Sequence, residues 1–443
     1  MRYGILVVAF LPNILLYGCG GATKGGSNYG KPIGRRNPNF VPGNLPNTPN
    51  NNGFPPFRPS PFGELHGWGN AAPSPEVPLI SRIKKECKGN YMGLYTWGHE
   101  VWDNPKSPII DFILNPAVNE YGCGDVYINV SDYTAPDWIP NPHNLYPFIH
   151  NVRATGNKGI VYLVYGDVAV GANGAPDGPR RFADTFFKWV ASLSQNELED
   201  ILPIGVSYDC EHLSPKTIEE ALVRAQQLKE QIRVKRLGGD ASQIVIQWTI
   251  EGQKKPVDTD IVMKHADSAL MMGYRNHMGA SIHDPTGEDN IVTRLMTFMF
   301  TEQCQKCLHD DFAEANYRAK IKLMFEADCM CGASCRKISF CAYDATTPGW
   351  GDEYENGAEY MMATLKAAER ELRSQLGPAR FDRLFGPTHD MSLFVVHNWQ
   401  WFTCFFNDPS VYVTTPIGVK KESCARYQTW ARGCRGSDPR REE

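Results

Sequence analysis

Two carboxylates and a histidine end an apolar run near the middle of the chain, Ile204–His212. Asp209 and Glu211 are two residues apart, so in a β-strand their side chains point to the same face. Two carboxyl groups held together where an apolar strand ends do not both ionise easily, so one tends to keep a proton near neutral pH. A protonated carboxyl beside an ionised one can work as a general acid and its helper. The segment therefore indicates acid catalysis at a strand end.

Short apolar runs rich in Val, Ile and Tyr alternate with helical or loop segments along much of the chain. They are nearly continuous in apolar character, which is typical of parallel strands buried on both faces. The predicted strands are Tyr91–Trp97, Asp125–Ser131, Gly159–Tyr165, Ile204–Tyr208, Ile244–Thr249, Ala269–Tyr274, Lys320–Phe325 and Leu393–Asn398. The clearest predicted helices are Arg180–Leu193, Pro215–Leu237 and Glu355–Leu376.

Eight strand–helix units in about 330 residues predict an α/β fold, a (β/α)8 TIM barrel with long loops. A doubly wound open sheet is the alternative. No Gly-rich phosphate loop follows any of the predicted strands, which removes the main reason to prefer the open sheet.

Acids and aromatic residues gather at the predicted carboxyl ends of the strands, where the active site of such a barrel lies. Sugars bind by stacking on aromatic rings and by polar contacts to their hydroxyls, so this composition suits a carbohydrate. Besides Asp209 and Glu211, the candidate residues are Tyr95, Trp97, Asp167, Trp248, Tyr274, Asn276, Glu326 and Trp399. A strand-end carboxylate can instead cap the next helix, and Glu326 can pair with Lys320 or Lys322.

The predicted strands four and six resemble the chitinase-like family 18 glycoside hydrolases. Asp209-Cys-Glu211 matches the final Asp-x-Glu of the family's Asp-x-x-Asp-x-Asp-x-Glu motif, and Met272-Gly-Tyr274 matches its Met-x-Tyr. Trp399 stands where a Trp late in strand eight closes the family's sugar pocket. The resemblance implies that Glu211 is the general acid, Asp209 its partner and Tyr274 a hydrogen-bond donor to the substrate. It also implies that the substrate's own 2-acetamido group is the nucleophile.

Two alternatives stay open beside this hypothesis of a glycoside hydrolase. Ile204 and Ser207 occupy the two earlier Asp positions of the motif, and Arg275 follows the strand-six tyrosine. These differences favour a catalytically inactive, lectin-like barrel that binds carbohydrate. The other alternative concerns mechanism, because retaining barrel enzymes place an acid/base on strand four and a nucleophilic Glu on strand seven, where Glu211 and Glu326 stand.

The amino-terminal segment predicts export. Residues 1–19 resemble a signal peptide, with Arg2 before a short apolar core. Residues 20–78 are rich in Gly, Asn and Pro and predict a disordered linker before a barrel over 79–432 and a charged tail over 433–443. We therefore expect a secreted, extracellular protein acting on an extracellular or cell-wall glycan. A lipobox-like Leu16-Tyr-Gly-Cys19 would anchor it to the cell surface if Cys19 were lipidated.

The net charge bears on which binding partners to expect, and the cysteine content bears on disulfides and metal sites. A net charge of −4 over 443 residues gives no reason to expect nucleic acid or an anionic membrane as a partner.

Of 13 cysteines, those other than Cys19 are even in number, which in an exported chain predicts disulfides, with Cys210 as the expected free thiol. The Cys304–Cys307 and Cys329–Cys335 spacings also suit zinc, but export favours disulfides. We predict no metal and no cofactor.

Overall fold

The computed structural model describes residues 77–79, 91–96, 101–118, 121–131, 139, 141–166, 177–210, 213–240, 242–250, 256–273, 291–292, 317–327, 340, 357–387, 391–406, 408 and 411. The predicted signal peptide, nearly all of the predicted linker and the predicted tail lie outside these residues. Val77 is buried, and the carbonyl of Pro78 accepts a hydrogen bond from Asn151, so this end of the predicted linker contacts the folded domain.

Eight parallel strands close into a barrel in chain order, with β1 paired to both β2 and β8. This confirms the predicted (β/α)8 fold. The strands are β1 Gly93–Thr96, β2 Val126–Asn129, β3 Val161–Gly166, β4 Ile204–Asp209, β5 Ile244–Ile250, β6 Ser268–Met272, β7 Lys320–Glu326 and β8 Phe394–His397. Each overlaps a predicted strand, because runs that are apolar on both faces fit only between a filled lumen and a layer of helices.

Helices flank the barrel, and their bounds follow local signals in the sequence. They are α1 Pro108–Leu114, α2 Leu145–Ala154, α3 Gly178–Ser192, α4 Gln195–Ile201, α5 Pro215–Arg236, α6 Pro256–His265, α7 Gly357–Leu376, α8 Pro378–Phe385 and α9 Trp399–Phe402. In α5, the Ser214 side chain accepts from the backbone N–H of Thr217, and Gly238 follows the helix with φ 56°. Among the described helices, none is both long enough and apolar enough to cross a bilayer.

Stacked tyrosines fill much of the lumen. The ring centroids of Tyr95 and Tyr127 are 5.4 Å apart, and those of Tyr127 and Tyr162 are 4.6 Å apart. We call the carboxyl-terminal end of the strands the mouth of the lumen. Below the mouth, Gln247 Nε2 donates to the Tyr127 hydroxyl at 3.2 Å and to Ser268 Oγ at 3.0 Å. The lumen cluster consists of Tyr95, Tyr127, Tyr162, Val164, Leu270, Met324 and Val395. The alternate residues of the strands pack outward, against the helices.

Charged groups lie at the amino-terminal end of the lumen. Lys322 Nζ pairs with Asp125 Oδ2, and Asp125 Oδ1 accepts from the backbone N–H of Ile160 at 2.9 Å. Burial raises the pKa of Tyr127 and of Tyr162 well above the usual value, and the negative charge of Asp125 adds to both shifts. Both phenols are therefore neutral in the physiological pH range and act in the lumen as packing and hydrogen-bonding groups.

A mostly buried arginine ties loops together beside the barrel. Arg153 donates to the carbonyls of Gly159 at 2.6 Å, of Ile201 at 3.1 Å and of Pro203. Burial lowers the pKa of Arg153 to about 10, so it keeps its proton at neutral pH. Its role is to satisfy carbonyl groups that would otherwise be buried without donors.

Three cysteines lie within the described residues. Cys210 is a free thiol and is buried, and Cys123 and Cys404 are disulfide-bonded. Cys210 belongs to the outer core, on the opposite side of β4 from Asp209, as alternation requires. The other cysteines, including those with zinc-like spacing, lie outside the described residues, so the wider disulfide framework stays a prediction.

Replacing Gly205 tests how tightly the lumen is packed. A Cβ at Gly205 would lie 2.6 Å from ring atoms of Tyr162 and 2.7 Å from the carbonyl oxygen of Val245. We expect Gly205→Ala to lower the free energy of unfolding by roughly 1–3 kcal/mol, measured by urea denaturation. Val234→Ala is the control, because Val234 is 65% exposed and its loss should cost less than about 0.5 kcal/mol. Equal effects of the two substitutions would contradict this packing.

The thiol of Cys210 gives a second test. It should resist a thiol reagent in the native protein and react once the non-reduced protein is unfolded, because the side chain is 1% exposed. The measurement is a colorimetric thiol count with and without denaturant. In Cys210→Ser the signal gained on unfolding should fall by one thiol per chain. Full reaction of Cys210 in the native state would contradict its placement.

Candidate active site

Asp209 is the last residue of β4 and faces the mouth of the lumen. Two residues earlier, Ser207 Oγ donates to the lumen residue Gln247 at 2.9 Å, so alternation turns Asp209 to the same side. Asp209 is only 2% exposed. Its Oδ2 accepts a hydrogen bond from the Tyr95 hydroxyl at 2.7 Å, across the lumen from β1. The phenol donor stabilises the ionised carboxylate in a place with little water.

Glu326 is the corresponding carboxylate at the end of β7. Met324 lies in the lumen cluster, so Glu326, two residues later, also faces inward. Glu326 is 2% exposed, and its Oε2 is paired with Nδ1 of His397 at the end of β8. The lysines considered from the sequence lie elsewhere: Lys322 pairs with Asp125, and Lys320 donates to a backbone carbonyl.

Tyr95 connects the two carboxylates. Its ring centroid is 5.0 Å from that of His397, with the planes tilted by 51°. Its hydroxyl bonds Asp209, while His397 bonds Glu326. The contacts therefore run from Glu326 to His397, then to Tyr95 and finally to Asp209. They join β7, β8, β1 and β4 at one end of the barrel. This is the carboxyl end of the strands, where catalytic groups of such barrels lie.

His397 is a site residue that the sequence analysis left out of its candidates. The signal that could have found it is positional. His397 and Glu326 are register partners on adjacent strands, so their side chains must lie side by side. Since both are the inward residues that end their strands, a pair at the mouth follows once the register is known.

Two of the predicted sugar-stacking residues lie in the outer core. Trp248 has the outward parity of β5 and stacks on Tyr208, with ring centroids 5.0 Å apart. Trp399 begins α9, has no exposed surface and packs on Phe112 of α1 at 5.3 Å. The structure therefore brings Asp209, Tyr95 and Glu326 together at the mouth and does not bring either tryptophan into the lumen cluster.

The other candidates lie outside the described residues: Glu211, Tyr274, Trp97, Asp167 and Asn276. Their roles stay predictions. Within the residues that the structure describes, no group of three or more His, Cys, Asp or Glu side chains is arranged to hold a metal ion.

Comparison with known proteins gives similarity in fold alone. No protein-family model and no curated protein sequence matches the chain. Among solved structures, it is similar to a GH18 chitinase from Pseudoalteromonas aurantia, with 10% identity and a TM-score of 0.35 over 78% of this chain and 99% of the other. An endo-beta-N-acetylglucosaminidase from Cordyceps militaris gives 13% identity and a TM-score of 0.31 over 80% and 92%.

A third similar structure is the GH18 chitinase from Cycas revoluta in complex with (GlcNAc)3, with 13% identity and a TM-score of 0.34 over 53% of this chain and 68% of the other. GH18 is the family that the strand-four and strand-six motifs resemble. Likeness of this degree carries no argument about activity, which has to come from the residues of this chain.

Removing the Tyr95 hydroxyl tests the bond across the lumen. We expect Tyr95→Phe to lower the free energy of unfolding at pH 7 by roughly 1.5–3 kcal/mol, because a buried charged acceptor loses a donor. Urea denaturation measures the loss.

The matched control is Tyr146→Phe. The Tyr146 hydroxyl also lies near an Asp, but its contact with Asp200 is 3.4 Å long and only partly buried. We expect that change to cost less than about 0.5 kcal/mol. Similar losses of unfolding free energy in the two variants would contradict a stabilising hydrogen bond between Tyr95 and Asp209.

Proposed function

We propose that this protein is a glycoside hydrolase that cleaves an N-acetylhexosamine-containing glycan by general acid catalysis. The observation that carries the proposal is the Asp209 carboxylate, buried at the carboxyl end of β4 and held by the Tyr95 hydroxyl at 2.7 Å. The position of this buried carboxylate at the carboxyl end of the barrel supports a role at a reacting centre.

Glu211 is the proposed acid. It follows Asp209 by two residues, and the match of Asp209-Cys-Glu211 to the family 18 motif supports this role. In the proposed mechanism Glu211 protonates the glycosidic oxygen as the bond breaks. Asp209, which accepts the hydrogen bond from Tyr95, then stabilises the positive charge that develops at the sugar. The substrate's acetamido oxygen attacks the anomeric carbon, and water later opens the cyclic intermediate.

The remaining candidates belong to substrate binding. Tyr274 is proposed to donate a hydrogen bond to the acetamido group, and Trp97, Asp167 and Asn276 to contact the sugar. Tyr95, predicted from the sequence to contact the sugar, has no exposed surface, so its proposed part is to hold Asp209. We propose an extracellular or cell-wall glycan as substrate, because residues 1–19 resemble a signal peptide.

A lectin-like barrel is the second candidate, and one contact favours it. Ser207 occupies the position of a motif Asp, and its hydroxyl donates to Gln247 at 2.9 Å in a network that continues to Tyr127 and Ser268. A position that carries charge in the family is here part of the packed lumen. Such a barrel could retain sugar binding without turnover.

Kinetics of Glu211→Gln tests the hydrolase proposal. With N-acetylglucosamine oligosaccharides, which have poor leaving groups, kcat should fall on the order of 10²–10⁴-fold. With a dinitrophenyl glycoside the fall should be much smaller, because that leaving group departs without a proton. Asp209→Asn should reduce kcat on both substrates, because charge stabilisation is needed in either case.

Glu220→Gln is the control, since Glu220 lies on the exposed face of α5 and pairs only loosely with Lys216 at 3.7 Å. It should keep full activity. If the wild-type protein binds these oligosaccharides, measured by calorimetry, yet shows no turnover on any glycan, the lectin-like function replaces the hydrolase.

A further inference from the structure

Glu326 faces the same mouth as Asp209, and its chemical role follows from what surrounds it. Its side chain is only 3% exposed, and the side chain of its partner His397 is 12% exposed. The Nδ1–H of His397 donates to Oε2 of Glu326. A nucleophilic carboxylate needs an oxygen that can reach the anomeric carbon of a bound sugar. Oε2 of Glu326 is already bound to the imidazole of His397, so the direct effect of Glu326 is on that ring.

The contacts of His397 lead away from Glu326 towards Asp209. Tyr95 packs on the imidazole at 5.0 Å and is held from below by Tyr127 at 5.4 Å. A ring held by two neighbours has few rotamers open to it, so its hydroxyl is fixed in direction. That direction places the hydroxyl 2.7 Å from Asp209.

We propose that Glu326 is a positioning residue: it fixes the His397 ring, which directs the Tyr95 hydroxyl at Asp209. This rests on the proposed hydrolase function for its effect on rate, but the arrangement itself is a property of the free protein. It assigns no bond-forming step to Glu326, in contrast to the retaining mechanism in which Glu326 attacks the sugar.

Glu326→Gln and Glu326→Ala separate the two roles. The Gln side chain keeps an oxygen that accepts from His397 Nδ1–H, whereas Ala keeps none. A positioning role therefore predicts that Glu326→Gln retains kcat/KM to within about tenfold. Glu326→Ala should lose up to about 10²-fold, mostly in kcat, because a shift of about 1 Å in a catalytic group costs that much. A nucleophile would lose on the order of 10⁴-fold or more in both variants.

The chain offers a matched control in a second histidine–carboxylate pair. His150 Nδ1 lies 2.5 Å from Asp200 Oδ2, and this pair joins α2 to α4 on the outside of the barrel. Asp200→Ala removes a carboxylate from a histidine in the same way but far from the mouth in the fold. It should leave kcat, KM and the Tyr95–Asp209 distance unchanged.

Crystal structures of the free variants test the arrangement without substrate. In Glu326→Ala the Tyr95 Oη to Asp209 Oδ2 distance should exceed 3.5 Å, and in Glu326→Gln and Asp200→Ala it should stay near 2.7 Å. This readout is independent of turnover, so it decides the positioning role even if the protein proves to be a lectin-like barrel. An unchanged distance in Glu326→Ala would overturn the proposal.

Azide gives a decisive kinetic test. If Glu326 were the nucleophile, sodium azide would restore turnover in Glu326→Ala and release a glycosyl azide. Under the positioning role, azide has no effect and no glycosyl azide forms. If Glu326→Ala does not fold, the kcat/KM of Glu326→Gln decides: retention to within about tenfold supports positioning, and loss beyond about 10⁴-fold overturns it.

Discussion

In a closed barrel, every second side chain of each strand has to fit into one narrow lumen, and this structure depends on how that lumen is filled. Stacked tyrosines occupy its middle, and a glycine at position 205 makes room for one of their rings. Because the rings leave little free volume, the side chains just above them have few positions available. The hydroxyl of Tyr95 and the carboxylate of Asp209 meet for this reason. The packing of the barrel thus sets the geometry of its mouth.

Closure of the sheet gives the mouth its second constraint. Glu326 and His397 are neighbours because β7 pairs with β8, and His397 reaches Tyr95 because β8 pairs with β1. Residues separated by about three hundred positions in sequence thereby form one continuous set of contacts. An open sheet would leave β1 and β8 as edges and would separate Tyr95 from His397, so ring closure is a condition for the candidate site.

Charge is distributed unevenly along the lumen. Lys322 and Asp125 neutralise each other near the amino-terminal end, and the tyrosines between the two ends are neutral because burial raises their pKa. The carboxylates Asp209 and Glu326 lie at the other end of the lumen. Tyr95 and His397 stabilise them by hydrogen bonds. Such preorganised groups suit a site in which positive charge develops on a substrate.

The sequence alone determined the barrel fold and the side of β4 on which Asp209 lies. Apolar runs buried on both faces give parallel strands, and the two-residue period places Asp209 opposite Cys210, on the lumen side. The same period applied to Trp248 would have turned it outward with Ile246, where the structure has it. Only the tertiary structure decided the rest. Asn398, at φ 58°, turns the chain into α9 and carries Trp399 into the outer core. The pairing of Glu326 with His397, and of Tyr95 with Asp209, depends on strand register and on closure of the ring. These are long-range properties that no local pattern of residues encodes.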